Sequence, residues 1–312
     1  MQAQAMASAL TETGSGGFDL SAWMDRQLAL VELALGDWVA PAGSTPASLA
    51  EPMRYAVLDG GKRLRPLLVL AASQAVSGHD GAALRAACAV ELIHAYSLVH
   101  DDMPCMDNDV LRRGKPTVHV RYGQASAMLA GDALQALAFE LLTPDDGSVP
   151  LAMQAQLCRM LARAAGGQGM AGGQAIDLAS IGLAIDSGQL HEMHRLKTGA
   201  LLLASVLMGA ACGSPSPQAL AALSDYGTAM GLVFQVVDDI LDVTADSQTL
   251  GKTAGKDAAQ DKPTFVSLMG LQASRNYAQE LLSQAQASLR HSQLPDTTAL
   301  RALADKLVHR AF

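Results

Sequence analysis

Two long apolar stretches that carry aspartates constrain the fold of this chain most strongly. One runs from Asp80 to Asp102 and the other from Pro217 to Val243, both with apolar residues at helical spacing. Asp80 is the expected N-cap of the first. Carboxylates in a buried helix are costly unless cations compensate them. The sequence therefore predicts buried helices whose acidic side chains meet cations in the interior.

The rest of the chain continues the helical pattern. Half of its 312 residues are apolar and only 4% are aromatic, a composition that favours helices over strands. Among other segments, helices are expected over 175–181, 189–211 and 264–290. Residues 1–17 end in a glycine-rich segment and are expected to be a flexible tail. We therefore predict that residues 18–312 form a single all-α domain, a bundle of ten or more helices.

Charge and cysteine content narrow the class of protein. A net charge of −8 argues against nucleic acid as a partner. No basic region followed by a long apolar stretch opens the chain, which argues against a secretory signal. The most apolar segment, 200–212, is shorter than the roughly 20 residues a membrane span needs. The four cysteines match no zinc or disulfide spacing, as is usual for reduced thiols in the cytosol. Together these features lead us to expect a cytoplasmic protein without a membrane span.

The first acidic cluster ends the first apolar helix. Asp101 and Asp102 lie at its C-terminus, where each opposes the helix macrodipole by about 0.3–1 kcal/mol. Pro104 follows in a loop over 103–119 and lets Asp107 turn back toward Asp101. Cys105 lies in the same loop and is interpreted as an inert thiol. Such a costly arrangement indicates a functional site.

The second acidic cluster lies within the other apolar helix. Asp238 and Asp242 are four residues apart and share a face with Gln235. Oxygen ligands from aspartates, with no nearby His or Cys, suit a hard cation such as Mg²⁺ or Mn²⁺. Mg²⁺ keeps several waters and bridges to phosphates rather than taking an all-protein cage. The two clusters therefore predict a magnesium site that binds phosphate.

Basic residues follow both clusters and one glycine pair. They are Lys62, Arg63 and Arg65 after Gly60-Gly61; Arg112, Arg113 and Lys115; Lys197; and Lys252, Lys256 and Lys262. Arginine can fork onto phosphate oxygens, whereas lysine supplies a point charge. The pattern predicts a metal-bridged diphosphate and a second phosphate group held by cations alone. The Gly-Lys-Thr at 251–253 is no P-loop, because Asp246 occupies the first-glycine position and no strand precedes it.

At these residues the chain resembles the trans-prenyl diphosphate synthases, most closely the bacterial farnesyl diphosphate synthases. The matching segments are Gly60–Pro66, Asp101–Asp107 with Arg112–Gly114, Gly172–Gln174 with Asp177, Lys197–Gly199, and Gly231–Asp242. The resemblance implies an isoprenoid synthase fold, an all-α bundle around a deep central cavity. It implies a homodimer with three Mg²⁺ ions, for which Mn²⁺ can substitute. The implied reaction is the condensation of isopentenyl diphosphate with dimethylallyl and then geranyl diphosphate.

The resemblance also implies roles for individual residues. Metal ligands are Asp101, Asp107 and Asp238, with Asp102 and Asp242 in supporting positions. The allylic diphosphate is expected at Arg112, Lys197, Lys252 and Lys262, and isopentenyl diphosphate at Lys62, Arg65, His94 and Arg113. Thr198 and Gln235 are expected near the reacting carbons, Tyr96 with Ser97 at the end of the product cavity, and Gln174 and Asp177 in structural roles. The product is expected to be farnesyl diphosphate; the alternative is geranylgeranyl or a longer prenyl diphosphate.

Other classes fit the residues less well. Glu91 and His94 have the Glu-x-x-His spacing of a di-iron carboxylate protein, but no second copy exists. A regulatory subunit without catalysis is expected to lack aspartates or cations that this chain retains. A class I terpene cyclase shares the implied fold, but its second metal motif mixes Asn, Ser and Glu, unlike Asp238–Asp242.

Overall fold

The computed structural model describes residues 17–58, 60–183, 185–244 and 264–309. Nearly all of the predicted tail lies outside these residues. The helices are α1 (Leu20–Trp38), α2 (Ala47–Val57), α3 (Leu64–Ala75), α4 (Asp80–Asp101), α5 (Val118–Tyr122), α6 (Gln124–Leu142), α7 (Leu151–Ala165), α8 (Met170–Ala179), α9 (Ser187–His194), α10 (Ala200–Ala211), α11 (Pro217–Thr244), α12 (Phe265–Met269), α13 (Leu271–His291) and α14 (Thr298–Val308). A two-stranded hairpin, β1 (Leu111–Arg112) and β2 (Lys115–Pro116), interrupts them. The prediction of an all-α fold with ten or more helices is confirmed.

The two aspartate-bearing helices, α4 and α11, lie in the interior of the bundle. Helix α4 is buried over most of its surface and packs between α3 and α6. Helix α10 packs against α3, α4 and α11, and α13 covers another side of α11. This packing explains why the two stretches are apolar around most of their circumference.

Several helix ends differ from the sequence prediction. His79, not Asp80, caps α4: its Nδ1 accepts a hydrogen bond of 3.1 Å from the Ala82 amide. The single helix expected over 264–290 is divided at Gly270, whose φ of 85° favours glycine. Helix α8 begins at Met170, five residues earlier than predicted. These ends depend on local geometry that apolar periodicity does not encode.

The helix expected over 189–211 contains a π-helical turn, Arg195–Gly199, between α9 and α10. Two glycines make room for it. A Cβ on Gly173 would lie 2.1 Å from the backbone nitrogen of Lys197, and one on Gly231 would lie 2.8 Å from the Gly199 Cα. Helices α8 and α11 therefore approach the turn closely, which defines a contact that we call the glycine seam (Gly173, Gly199 and Gly231). Such π turns occur often at functional sites.

Within the part of the chain that the structure describes, three helices, α4, α6 and α11, are long and apolar enough to cross a membrane by length and composition alone. In α4 and α11 most of the apolar window is buried inside the bundle, whereas only 39% of the α6 window is buried. On α6, Met128 and Leu129 are exposed by 42% and 57%. The absence of a membrane span and the cytoplasmic location stay predictions.

Candidate active site

A single cavity of about 580 Å³ brings together most of the predicted site residues. Its lining includes Arg65, His94, Tyr96, Ser97, Asp101, Asp107, Arg112, Lys197, Thr198, Gln235 and Asp238. The lining does not include four other predicted residues that the structure describes, namely Lys62, Asp102, Arg113 and the buried Asp242. The remaining two, Lys252 and Lys262, lie outside the described residues. The cavity therefore joins the first and second acidic clusters in one space.

The first acidic wall is the C-terminal end of α4 with the loop that follows. The chain turns back as expected, because the Asp107 amide donates to the Asp101 carbonyl at 2.8 Å. Burial raises the pKa of Asp101 to about 6, and the nearby Asp107 and Asp102 add to that rise against the opposing charges of Lys197 and Arg112. The ionised form of Asp101 thus lacks sufficient compensation, which is the condition that a bound cation relieves.

Asp102 points away from this cavity and binds Arg112. Its carboxylate receives the Arg112 guanidinium in a forked contact, with Nη2–Oδ1 at 2.6 Å and Nε–Oδ2 at 2.8 Å. Only 3% of Asp102 is exposed. The pair fixes Arg112, which lines the cavity, at the first strand of the hairpin. Asp102 is therefore placed to hold the Arg112 side chain, and its supporting role at the metal stays a prediction.

The hairpin connects the first acidic wall to the glycine pair. Its turn residues Arg113 and Gly114 have φ values of 53° and 75°, as a tight two-residue hairpin requires. The Arg113 guanidinium donates to the Gly60 carbonyl. Gly61, which lies against the Arg113 guanidinium, has a φ of 144°, a backbone conformation that favours glycine. Residues 60–66 and Arg113 are thereby held together, as expected if they bind one substrate.

Within 60–66, the arginines separate into two environments. Arg63 is buried, has a left-handed backbone, and binds Glu91 at 2.7 Å and Glu32 at 2.8 Å. Arg65 is also buried but lines the cavity, with its guanidinium 5.9 Å from the centre of the Phe234 ring. Lys62 is exposed, outside the cavity lining. Arg63 therefore anchors the segment, whereas Arg65 is available to an anionic ligand.

His94 lines the cavity beside these cations. Its pKa lies well below the ordinary value, first because of burial and then because of Arg65, Arg113, Arg112 and Arg63. The imidazole is therefore neutral and can donate one hydrogen bond to a diphosphate without adding charge.

The second acidic wall is formed by α11. Asp238 and Gln235 line the cavity, whereas Asp242 is buried and Asp239 faces the protein interior as well as the cavity edge. Opposite Gln235, the π turn presents Thr198, whose hydroxyl donates to Gln235 Oε1 at 3.3 Å. The two residues expected near the reacting carbons are thus in contact with each other.

Lys197 binds a residue that we expected to be only structural. Its Nζ contacts Asp177 Oδ2 at 2.5 Å, and Asp177 and Gln174 both line the cavity. Sequence reasoning also missed His194, which precedes Lys197 by three residues, lines the cavity and stacks on Phe265. Asp177 follows Gln174 by three residues and His194 precedes Lys197 by three, so each lies one helical turn from a residue that the sequence had singled out. This spacing was the available signal that both line the cavity.

The donor set fits a hard cation shared with a ligand. Among the described residues, no group of three or more acidic, His or Cys side chains lies close enough to hold one ion by itself. Asp101 and Asp107 lie on one wall and Asp238 on the other, and all three offer oxygen ligands to the same cavity. These residues would hold Mg²⁺ together with phosphate oxygens and water, as Mg²⁺ prefers.

Comparison with known proteins agrees with this geometry. The polyprenyl synthetase family model matches residues 46–297. The farnesyl diphosphate synthase of Escherichia coli K12 is 46% identical over 283 residues, which cover 89% of this chain and 94% of that protein. A chloroplastic geranylgeranyl pyrophosphate synthase of Catharanthus roseus is 43% identical over 299 residues, covering 96% of this chain and 83% of that protein.

Solved structures of the same kind share the fold. The geranyltransferase of Helicobacter pylori, in complex with magnesium and isoprenyl diphosphate, superposes with a TM-score of 0.82 at 35% identity, covering 95% of this chain and 98% of that one. Fold and site thus define an all-α isoprenoid synthase. The chain belongs to the polyprenyl synthetase family, and it is a prenyltransferase that makes prenyl diphosphates.

Proposed function

We propose that this protein is a farnesyl diphosphate synthase. It condenses isopentenyl diphosphate head to tail, first with dimethylallyl diphosphate and then with geranyl diphosphate, and releases diphosphate at each step. The observation that carries the chain length is Tyr96, whose half-buried ring lines the same cavity as the acidic residues. Tyr96 precedes Asp101 by five residues, about 7.5 Å along α4.

The walls of the cavity suggest how the two substrates are held. Arg112 and Lys197 bind the allylic diphosphate between the acidic walls, and Arg65, His94, Lys62 and Arg113 bind isopentenyl diphosphate. Asp101, Asp107 and Asp238 would hold Mg²⁺, for which we propose three ions, and the metal would supply positive charge to the departing diphosphate. Residues of the chain supply positioning and electrostatic stabilisation, because the reaction needs the double bond of one substrate close to the allylic carbon of the other.

Thr198 and Gln235 stabilise the positive charge that develops on the allylic carbons. Both side chains line the cavity that Asp238 also lines, and the Thr198 hydroxyl donates to the carbonyl oxygen of Gln235. Arg112 and Lys197 act on the leaving diphosphate, so that opposite charges are stabilised at opposite ends of the breaking bond. The site is lined elsewhere by apolar side chains such as Phe234, which limit water near the cation.

A longer product is the second candidate, because a relative that is 43% identical is named a geranylgeranyl pyrophosphate synthase. Tyr96 discriminates between the two. Its ring makes an edge contact with His100 at 5.8 Å, and burial raises its pKa. A rigid aromatic side chain in this position stops the growing chain at fifteen carbons.

The test is product analysis with Mg²⁺, isopentenyl diphosphate and each allylic primer. Wild type is expected to yield farnesyl diphosphate, Tyr96→Ala geranylgeranyl or longer products, and Tyr96→Phe the fifteen-carbon product, since the ring remains. Chromatography of the dephosphorylated products measures this. A twenty-carbon wild-type product contradicts the proposed chain length, and an unchanged product in Tyr96→Ala removes Tyr96 as the end of the cavity.

We also propose that the protein is a homodimer, with α6 in the interface. The exposed side chains of Met128 and Leu129 on this apolar helix support that assembly. Sedimentation analysis is expected to give a dimer for wild type and to show dissociation for Met128→Asp with Leu129→Asp. A monomeric wild type at micromolar concentration contradicts the proposal.

A further inference from the structure

Asp239, the second residue of the second acidic cluster, is bound from two directions. Its Oδ1 accepts a hydrogen bond of 2.7 Å from Gln235 Nε2, and its Oδ2 accepts one of 2.8 Å from the backbone amide of Phe265. Only 2% of Asp239 is exposed. Because Phe265 is the first residue of α12, this carboxylate ties α11 to the next described helix.

The same contacts extend to the reaction centre. Gln235 uses its amide NH₂ toward Asp239, and its Oε1 accepts from the Thr198 hydroxyl at 3.3 Å. The chain of donors and acceptors therefore runs from the Phe265 amide through Asp239 and Gln235 to Thr198. Three members of this chain, Thr198, Gln235 and the edge of Asp239, line the cavity where the allylic cation is expected.

The chemistry of the carboxylate decides which end of the Gln235 amide faces the cavity. The two ends of an amide have nearly the same shape, so packing alone does not distinguish them. An ionised carboxylate only accepts hydrogen bonds, and it therefore selects the NH₂ end of Gln235. The carbonyl oxygen, the negative end of the dipole, is left toward Thr198 and the cavity.

We propose that Asp239 is a positioning residue that fixes the orientation of the Gln235 amide, and that it does not ligate magnesium. The inference rests on the proposed function, in which an allylic cation forms in the cavity. An amide whose carbonyl oxygen faces the cation stabilises it, whereas an amide whose NH₂ group faces the cation destabilises it. Asp238 and Asp239 are adjacent in sequence but have different roles: Asp238 binds the metal, whereas Asp239 accepts hydrogen bonds from Gln235 and from the Phe265 amide.

The decisive variant is Asp239→Asn. The asparagine keeps its carbonyl for the Phe265 amide and presents its NH₂ group to Gln235, whose amide then reverses. Because the NH₂ group of Gln235 then faces the developing cation in place of the carbonyl oxygen, kcat is expected to fall about 10–100-fold, the size of effect of one charge-assisted contact. The Mg²⁺ concentration that gives half-maximal activity is expected to stay within about twofold of wild type, whereas Asp238→Asn raises it strongly.

A compensating change separates orientation from a general structural role. In Asp239→Asn with Gln235→Glu, the glutamate accepts from the asparagine NH₂ and from Thr198, so the complementary pairing returns and an oxygen again faces the cavity. We expect kcat to recover by about tenfold relative to Asp239→Asn. Tyr226→Phe is the matched control: it removes a buried 2.7 Å hydrogen bond from the same helix to the Leu300 carbonyl, away from the cavity. It should lower the melting temperature and leave kcat near wild type.

The outcomes distinguish this inference from the proposed function. If wild type does not condense the substrates, the proposed function fails. If wild type is active and Asp239→Asn keeps its kcat, shifts the magnesium requirement as Asp238→Asn does, or is not improved by Gln235→Glu, the positioning role is overturned. Should Asp239→Asn fail to fold, Gln235→Met removes the amide with Asp239 in place. Its kcat must then fall about 10–100-fold, and a smaller loss contradicts the inference.

Discussion

The two acidic clusters occupy different kinds of backbone but divide their aspartates in the same way. Helix α4 ends at Asp101 and the chain turns, whereas α11 continues through its cluster to Thr244. In both, the first aspartate of the pair, Asp101 or Asp238, lines the cavity; of the second aspartates, Asp102 is outside the lining and Asp239 reaches only the cavity edge. The second, Asp102 or Asp239, is almost fully buried and bound by the protein.

Helical geometry explains this division. Adjacent residues on an α-helix point in directions about 100° apart, so both carboxylates of a pair cannot face one ligand equally. The carboxylate that turns away is buried and must find donors, because an uncompensated buried charge is costly. Arg112 supplies them in the first cluster, and Gln235 with the Phe265 amide in the second. Each pair thus has one carboxylate in the cavity, where we predict a metal ion, and one that the protein itself binds.

The largest expected effect tests this division directly. Asp101→Ala and Asp238→Ala should each lower kcat by at least about 1,000-fold, because each removes a ligand of an ion that stabilises several kcal/mol of transition-state charge. Chelation should abolish activity and added Mg²⁺ restore it, with the fold checked by circular dichroism. Asp102→Asn, in which Arg112 keeps one acceptor, should lose far less. Equal losses of kcat at positions 101 and 102 would contradict the division of roles between the two aspartates.

A middle-sized effect separates the two sides of the cavity. Arg65→Ala should chiefly raise the KM for isopentenyl diphosphate, and Lys197→Ala should act on the allylic substrate and on kcat. Loss of a hydrogen bond from a charged group costs about 1.5–3 kcal/mol, which corresponds to about 10–150-fold. Steady-state kinetics with each substrate varied in turn measures both. Similar changes of both variants for both substrates would show that the sides are not specialised.

The smallest expected effect concerns how the stability of the protein depends on pH through His194, which lines the cavity. Burial lowers the pKa of His194 from 6.5 to about 4. Between those values the unfolded chain binds a proton that the folded protein does not, so stability is lost as pH falls from 6.5 toward 4, by at most about 3 kcal/mol. His194→Phe should flatten this pH dependence in metal-free protein, as followed by urea unfolding from pH 4 to 7. The exposed His291→Gln should leave it unchanged; the same slope in His194→Phe contradicts a neutral His194.

The sequence was sufficient for the fold class and for most of the residues that meet in the cavity, although it missed His194 and placed Lys62, Asp102, Arg113 and Asp242 in a site whose lining does not include them. Apolar periodicity located α4 and α11, and the density of aspartates and cations in otherwise apolar surroundings identified the walls. It was insufficient for the π turn at Arg195–Gly199, because that turn depends on packing against Gly173 and Gly231. The pairing of Lys197 with Asp177 was also missed, since their separation of twenty residues carries no periodic signal.

The glycine seam has a consequence for anyone who wishes to redirect the enzyme by laboratory evolution. A methyl group on Gly173 or Gly231 would require helices to separate, and any such shift would move Lys197 and Thr198 relative to the opposite wall. Random libraries that include these positions will be dominated by inactive clones. Tyr96 lines the cavity from α4, remote in sequence from the seam, and a library confined to this one position can test the proposed control of product size while Asp101, Lys197 and Thr198 are left unchanged.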